Sequence, residues 1–173
     1  ENLQVPTDRI APQATESIQI QVNLDSESKD VPPYIEADFD PNEPETYDFT
    51  QTQTVTDGAG VNHIITYYYA KSEMPNTYQV HASVDGSGTD DTGAAWMIDQ
   101  YATFNGPEEG KDLNLDGIVE DPFQLLYMGA GQPNTAGVTS LSQTPFAITG
   151  TLNGVAIADT MQAANVVSPI SVA

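Results

Sequence analysis

The sequence predicts an all-β protein, an antiparallel β-barrel or sandwich built from meanders and hairpins, with little or no helix. Short runs of alternating apolar and polar residues recur along the 173-residue chain. Gly, Pro, Asn and Asp punctuate these runs, and no long segment repeats at the 3.6-residue period of an amphipathic helix. A chain of this length holds one main domain with a real core and is too short for two large ones.

The elements follow in order. Leu3-Gln4-Val5-Pro6-Thr7 is an extended lead-in, kept out of helix by Pro6 and Pro12. Residues 17–24 alternate cleanly, with Ile18, Ile20, Val22 and Leu24 facing inward and Gln19, Gln21 and Asn23 outward. Residues 25–44 are rich in acids and prolines and carry no periodicity, as in a surface loop or a linker. Tyr47, Phe49 and Val55 then mark a half-wet strand, and Asp57-Gly58-Ala59-Gly60 tolerates the positive φ of a hairpin turn. Residues 61–69 are β-branched and aromatic almost throughout, as in a central strand. Val61, His63, Ile65, Tyr67 and Tyr69 share one face, and Asn62, Ile64, Thr66 and Tyr68 the other. Pro75-Asn76 turns the chain into a strand with a dry face of Tyr78, Val80, Ala82 and Val84 and a wet face of Gln79, His81 and Ser83.

Asp85-Gly86-Ser87-Gly88 is a turn that ends this meander, residues 86–93 read as a mobile Gly-rich loop, and 96–104 as a strand holding the lone Trp96. Residues 113–119 read as two short strands meeting at Asp116-Gly117, 123–128 as another strand, and 138–141 as a short one. Phe146, Ile148 and Leu152 approach an Asn153-Gly154 hairpin turn, and Val155 and Ile157 return. Residues 158–167 form the one segment that could pass as a short helix, and the apolar tail 165–173 could pair with the lead-in. The expected division is 1–24 as a strip connecting to an inner domain, 25–165 as an outer β-domain in which 87–144 could be a subdomain, and 166–173 as a return strand.

Charge narrows the function classes. With 25 acidic residues against 4 basic ones the net charge is -21, so the chain lacks the basic footprint that nucleic acid or an anionic membrane requires. The excess favours solubility and would suit a saline habitat. There is no cysteine, hence no disulfide framework or thiolate site. No apolar run approaches a membrane span and no signal peptide is visible. A chain opening on Glu1-Asn2-Leu3 reads as a piece excised from a larger protein.

Asp112-Leu113-Asn114-Leu115-Asp116-Gly117 places oxygen side chains at alternate positions before a Gly, as in the first half of a calcium loop. The second half departs from that pattern, because its twelfth position is Phe123; a plain Asp-Gly turn is the competing reading. Asp112, Asn114 and Asp116 are therefore weak metal candidates, and no cofactor is expected. His63 and His81 are expected to be structural and unpaired with one another, since zinc would need two further ligands. The pairs Asp90-Asp91, Glu108-Glu109 and Glu120-Asp121 lie in loops, where solvated acids are the default. No nucleophile elbow, phosphate loop or dinucleotide turn is present, so no catalytic residue is assigned. Tyr67, Tyr68 and Tyr69 put aromatic surface on both sides of one strand; the outer side is either a subunit contact or a second covered face.

These residues resemble a known family. Leu3-Gln4-Val5-Pro6-Thr7, Ile18-Gln19-Ile20-Gln21-Val22-Asn23-Leu24 and, above all, Phe39-Asp40-Pro41, Tyr47, the turn from Thr54 through Asp57 and Gly60 to His63, the aromatic strand from Thr66 to Tyr69, Lys71 and Tyr78-Gln79-Val80 are similar in order and spacing to the outer domain of the bacterial flagellar hook protein. The match is detailed over the first half and looser beyond. Ala59 stands where that turn usually has a bulky residue, Tyr78 where a Trp is common, and the heptad-like terminal helices of the inner tube are absent. The resemblance implies a non-enzymatic structural subunit that polymerises outside the cell into a short curved tube carrying motor torque to the filament. It implies export without a cleaved signal peptide, and as partners further hook subunits, the hook cap and the hook-filament junction proteins. The rival reading is a calcium-dependent extracellular adhesion or carbohydrate-binding β-domain, motivated by acidity, the tyrosine run and the half calcium loop.

Overall fold

The computed structural model describes residues 13–15, 17–23, 39–72, 74, 76–104, 125–131, 142–143 and 146–167. Within them the chain forms nine strands in two sheets. A six-stranded sheet runs β2 (Phe49–Thr56), β3 (Asn62–Lys71), β4 (Thr77–Val84), β5 (Gln100–Phe104), β6 (Leu125–Ala130) and β7 (Ser142–Gln143), in spatial as in sequence order. A three-stranded sheet places β9 (Val155–Val167) between β1 (Ser17–Asn23) and β8 (Phe146–Leu152). Pairing is antiparallel except between β1 and β9 and between β6 and β7. The all-β expectation holds, and β3 is a central strand with β2 and β4 on either side.

Turn chemistry sets the register. In the β2–β3 turn the Asp57 carboxylate accepts the N–H groups of Ala59 and Val61, each at 2.8 Å, and Gly60 takes a φ of 85°. At the β8–β9 hairpin Asn153 and Gly154 have φ of 52° and 77°, the pair of positive values a tight hairpin turn requires. One buried cluster spans both sheets: Ile65, Tyr67 and Val80 of the large sheet pack with Ile18, Ile148 and Ile157 of the small one.

Several expectations are corrected. Residues 158–167, read as a possible helix, are strand, because β9 pairs with β8 as far as Met161 and with β1 from Thr160 to Val167; tertiary pairing overrides a weak local preference. Of the apolar tail, Asn165, Val166 and Val167 belong to β9 and pair with Gln21, Val22 and Asn23; the lead-in at residues 3–7 and the tail beyond Val167 lie outside the described residues. The face of β4 read as wet is covered: Gln79 is 3% exposed and Ser83 fully buried. Trp96 precedes its strand, which begins at Gln100. Its indole N–H donates to the Ser87 carbonyl at 3.0 Å, and its ring is 1% exposed.

The Gly-rich loop after β4, read as mobile, is stitched to β8 and the β8–β9 turn. Asp90 Oδ1 accepts Thr92 N–H, the Thr92 hydroxyl and Ala94 N–H, while its Oδ2 accepts Thr151 N–H at 3.2 Å. Asp91 donates its N–H to the Thr151 carbonyl at 2.9 Å and accepts Gly154 N–H at 2.9 Å. The approach is close enough that a Cβ at Gly150 would lie 2.5 Å from the Trp96 ring. The readings at 113–119 and 138–141, the calcium candidates Asp112, Asn114 and Asp116, and the pairs Glu108-Glu109 and Glu120-Asp121 lie outside the described residues.

Candidate functional site

Alternation along β3 sends His63 to one face of the sheet. His81 on β4 stands opposite Tyr68 and so belongs to the other face. The rings are therefore not paired across the strands, as the spacing suggested.

His63 closes one end of the sheet. It is 6% exposed, with Nδ1 2.8 Å from Asp85 Oδ2 and Nε2 3.1 Å from Asp57 Oδ2. The two carboxylates come from different turns. Asp57 leads the β2–β3 turn, and Asp85 follows β4 with a left-handed φ of 50°, its Oδ1 accepting Ile64 N–H at 2.8 Å. With a carboxylate at each ring nitrogen, the protonated imidazole donates twice, whereas the neutral ring would turn a lone pair toward one of them. The hydrogen bond to Asp85 is the main reason the His63 pKa rises, with Asp57 adding to it against the opposing effect of burial. Asp57 is held below the usual carboxylate range first by the Val61 amide and then by His63 and the Ala59 amide. For Asp85, burial alone would raise the pKa, but the bonds from His63 and the Ile64 amide outweigh it and the net shift is downward.

His81 meets the opposite surroundings. Its ring stacks on Phe39 at 4.1 Å with planes 4° apart, and burial pushes its pKa down to about 4. Phe39 and Tyr47, from the segment before β2, also cross the Tyr68 ring edge-on at 5.1 and 4.9 Å. Tyr67, Tyr68 and Tyr69 are 0%, 7% and 1% exposed, so both sides of this strand are covered within the domain. Beside this aromatic cover, Phe39, Pro41, His81, Met97 and Ile98 line an open hollow of about 330 Å³.

Among the described residues no three His, Asp or Glu side chains converge as metal ligands. What the arrangement provides is mechanical: a cross-turn ionic clamp at one end and an aromatic cover on one face. A family model of the flagellar basal body protein FlaE D2 domain matches residues 23–171. The chain belongs to that family. The match bears out the resemblance to the outer domain of the flagellar hook protein and extends over the second half, where the sequence likeness was loose. No curated protein matches the chain.

In this FlaE D2 domain the partners of His63 were the residues that sequence reasoning missed. Each sits immediately before a glycine, Asp57-Gly58 and Asp85-Gly86, and both were read only as turn formers. Turn aspartates bracketing the β3–β4 pair, with a histidine near the start of β3, were the available signal. Phe39 and Tyr47 were recognised as family features, but nothing local showed that they fold back over Tyr68 and His81.

Proposed function

We propose that this domain is the outer, projecting part of a hook subunit that self-assembles outside the cell into the flexible tube transmitting motor torque to the filament. The match to the FlaE D2 domain over residues 23–171 carries the reading. A body of two sheets sharing one core, with both histidines engaged inside the domain, suits a rigid block that moves against its neighbours as the tube bends. The role is structural and assigns no catalysis to the chain. In this reading residues 1–24 and 166–173 lead toward the next domain inward, and the partners are other hook subunits, the hook cap and the hook-filament junction proteins. With a net charge of -21, contacts between neighbours strengthen as salt screens their repulsion.

Immuno-electron microscopy of the source cells with antibody against this domain is the test. Label is expected on a short curved segment between cell body and filament. Label spread over the cell envelope would overturn the assignment in favour of a surface adhesion role.

A further inference from the structure

We propose that the outer edge of β2 is a docking surface for a second copy of this chain, an extended segment of which adds to it as a further strand. The proposal deepens the hook reading by naming a surface through which copies meet, and it rests on that reading only for its setting in the tube.

Backbone geometry defines the surface. Thr15 donates its N–H to the Thr56 carbonyl at 2.9 Å, and its hydroxyl accepts the Thr56 N–H at 2.9 Å. Both main-chain groups of Thr56 therefore point away from β3. Since orientation repeats every second residue, the N–H and C=O groups of Thr50, Thr52 and Thr54 point the same way. β2 is the outermost strand of its sheet, and among the described residues no partner meets those three threonines there. The seat of Thr15 at one end shows that this edge accepts main-chain pairing.

The edge also lacks the usual protection. Exposed edges are commonly blunted by lysine, proline, a bulge or shortness. β2 has eight residues, FTQTQTVT, with no charge and no proline, in unbroken one-to-one register with β3. Of three large hydrophobics exposed among the described residues, Val61 and Ile64 stand beside its Thr56 end, Ile64 directly across from Thr54. Such an edge supplies main-chain donors and acceptors for strand addition.

Charge selects the occupant. A basic partner would be steered to the acid-rich parts of a chain carrying -21, and nothing on β2 attracts it. A second copy is repelled wherever acids face acids and can approach closely only where charge is absent, which is what β2 offers. In a tube whose subunits all point one way, this edge meets a different surface of its neighbour, so the contact is open-ended rather than a closed pair.

Sedimentation velocity of the 173-residue chain over a concentration series, at roughly 0.05 and 0.5 M salt, tests the proposal. Association that tightens several-fold with salt is expected. Thr52→Pro removes one outward N–H and leaves the β2–β3 ladder intact, so it should weaken association by about tenfold or more without lowering the Tm of the monomer, read at a concentration too dilute for the wild type to associate. Thr52→Glu keeps the N–H and adds like charge; its weakening should be largest at low salt. A chain monomeric up to about 1 mM overturns the proposal, as does association that salt weakens or that Thr52→Pro leaves unchanged. A fall in the monomer's Tm for Thr52→Pro at that dilution overturns it too, because a segment of the same chain then occupies the edge. Any of these results, with antibody label still confined to the curved segment, removes the edge contact and leaves the hook assignment standing.

Discussion

His63 and His81 lie on neighbouring strands of one sheet, yet the fold favours the charged form of the first and the neutral form of the second. Two carboxylates at hydrogen-bond distance draw a proton onto His63, while burial against Phe39 keeps one off His81. Residue type decides little here; the deciding factor is whether the face supplies acceptors or an aromatic lid.

The pH dependence of stability separates the two. His63 holds its proton more tightly when folded, so its contribution is complete below the ordinary value of 6.5 and is lost as pH rises through the raised folded value. His81 is neutral when folded and takes up a proton readily only when unfolded. Its folded form therefore loses stability as pH falls from 6.5 to about 4, and no further below that. Together the two place a stability maximum near the ordinary histidine pKa.

The largest expected effect comes from removing the clamp. His63→Leu leaves two carboxylates near each other without the cation between them and should cost about 2–3 kcal/mol near neutral pH, a Tm loss of roughly 5–10 °C. The loss should shrink as pH rises through the raised His63 pKa; an equal loss at pH values below and above it would mean that the imidazolium charge plays no part. Next in size, His81→Phe keeps a ring against Phe39 and removes the titrating group. Denaturant titrations should show it gaining about 1–3 kcal/mol over the wild type at acid pH relative to neutral pH, and parallel stability profiles would break the contrast between the faces. The smallest effect sharpens the contrast within the clamp itself. Asp85→Asn and Asp57→Asn should both lower the His63 pKa followed by NMR, Asp85→Asn by more, because the Asp85 bond is the leading cause of its elevation. The reverse order would make Asp57 the dominant partner.

Where the information was local, the sequence was legible. The alternation of 61–69, the Asp57 turn and the Asn153-Gly154 hairpin each depend on a few adjacent residues, and each appears as read. Elements set by distant partners were not. β9 is strand because Ser17–Asn23 lies along it, and the outer face of β4 is dry because Phe39 folds over His81. Trp96 lies outside the strand because its ring packs against Gly150, a neighbour more than fifty residues on. At the candidate site, turn chemistry announced Asp57 and Asp85 as turn residues, but their convergence on one imidazole requires the register of three strands.

The parallel pairing of β1 with β9 bears on how the domain carries load. The chain enters this pair at Ser17, opposite Thr160, and leaves it at Val167, opposite Asn23, so entry and exit lie at opposite ends of the two strands. Tension between them pulls the strands lengthwise past each other and loads their hydrogen bonds together in shear, rather than peeling them one by one. Force applied between Ser17 and Val167 is therefore met by the whole set of bonds at once, and the same bonds would give far less resistance if the strands ran in opposite directions.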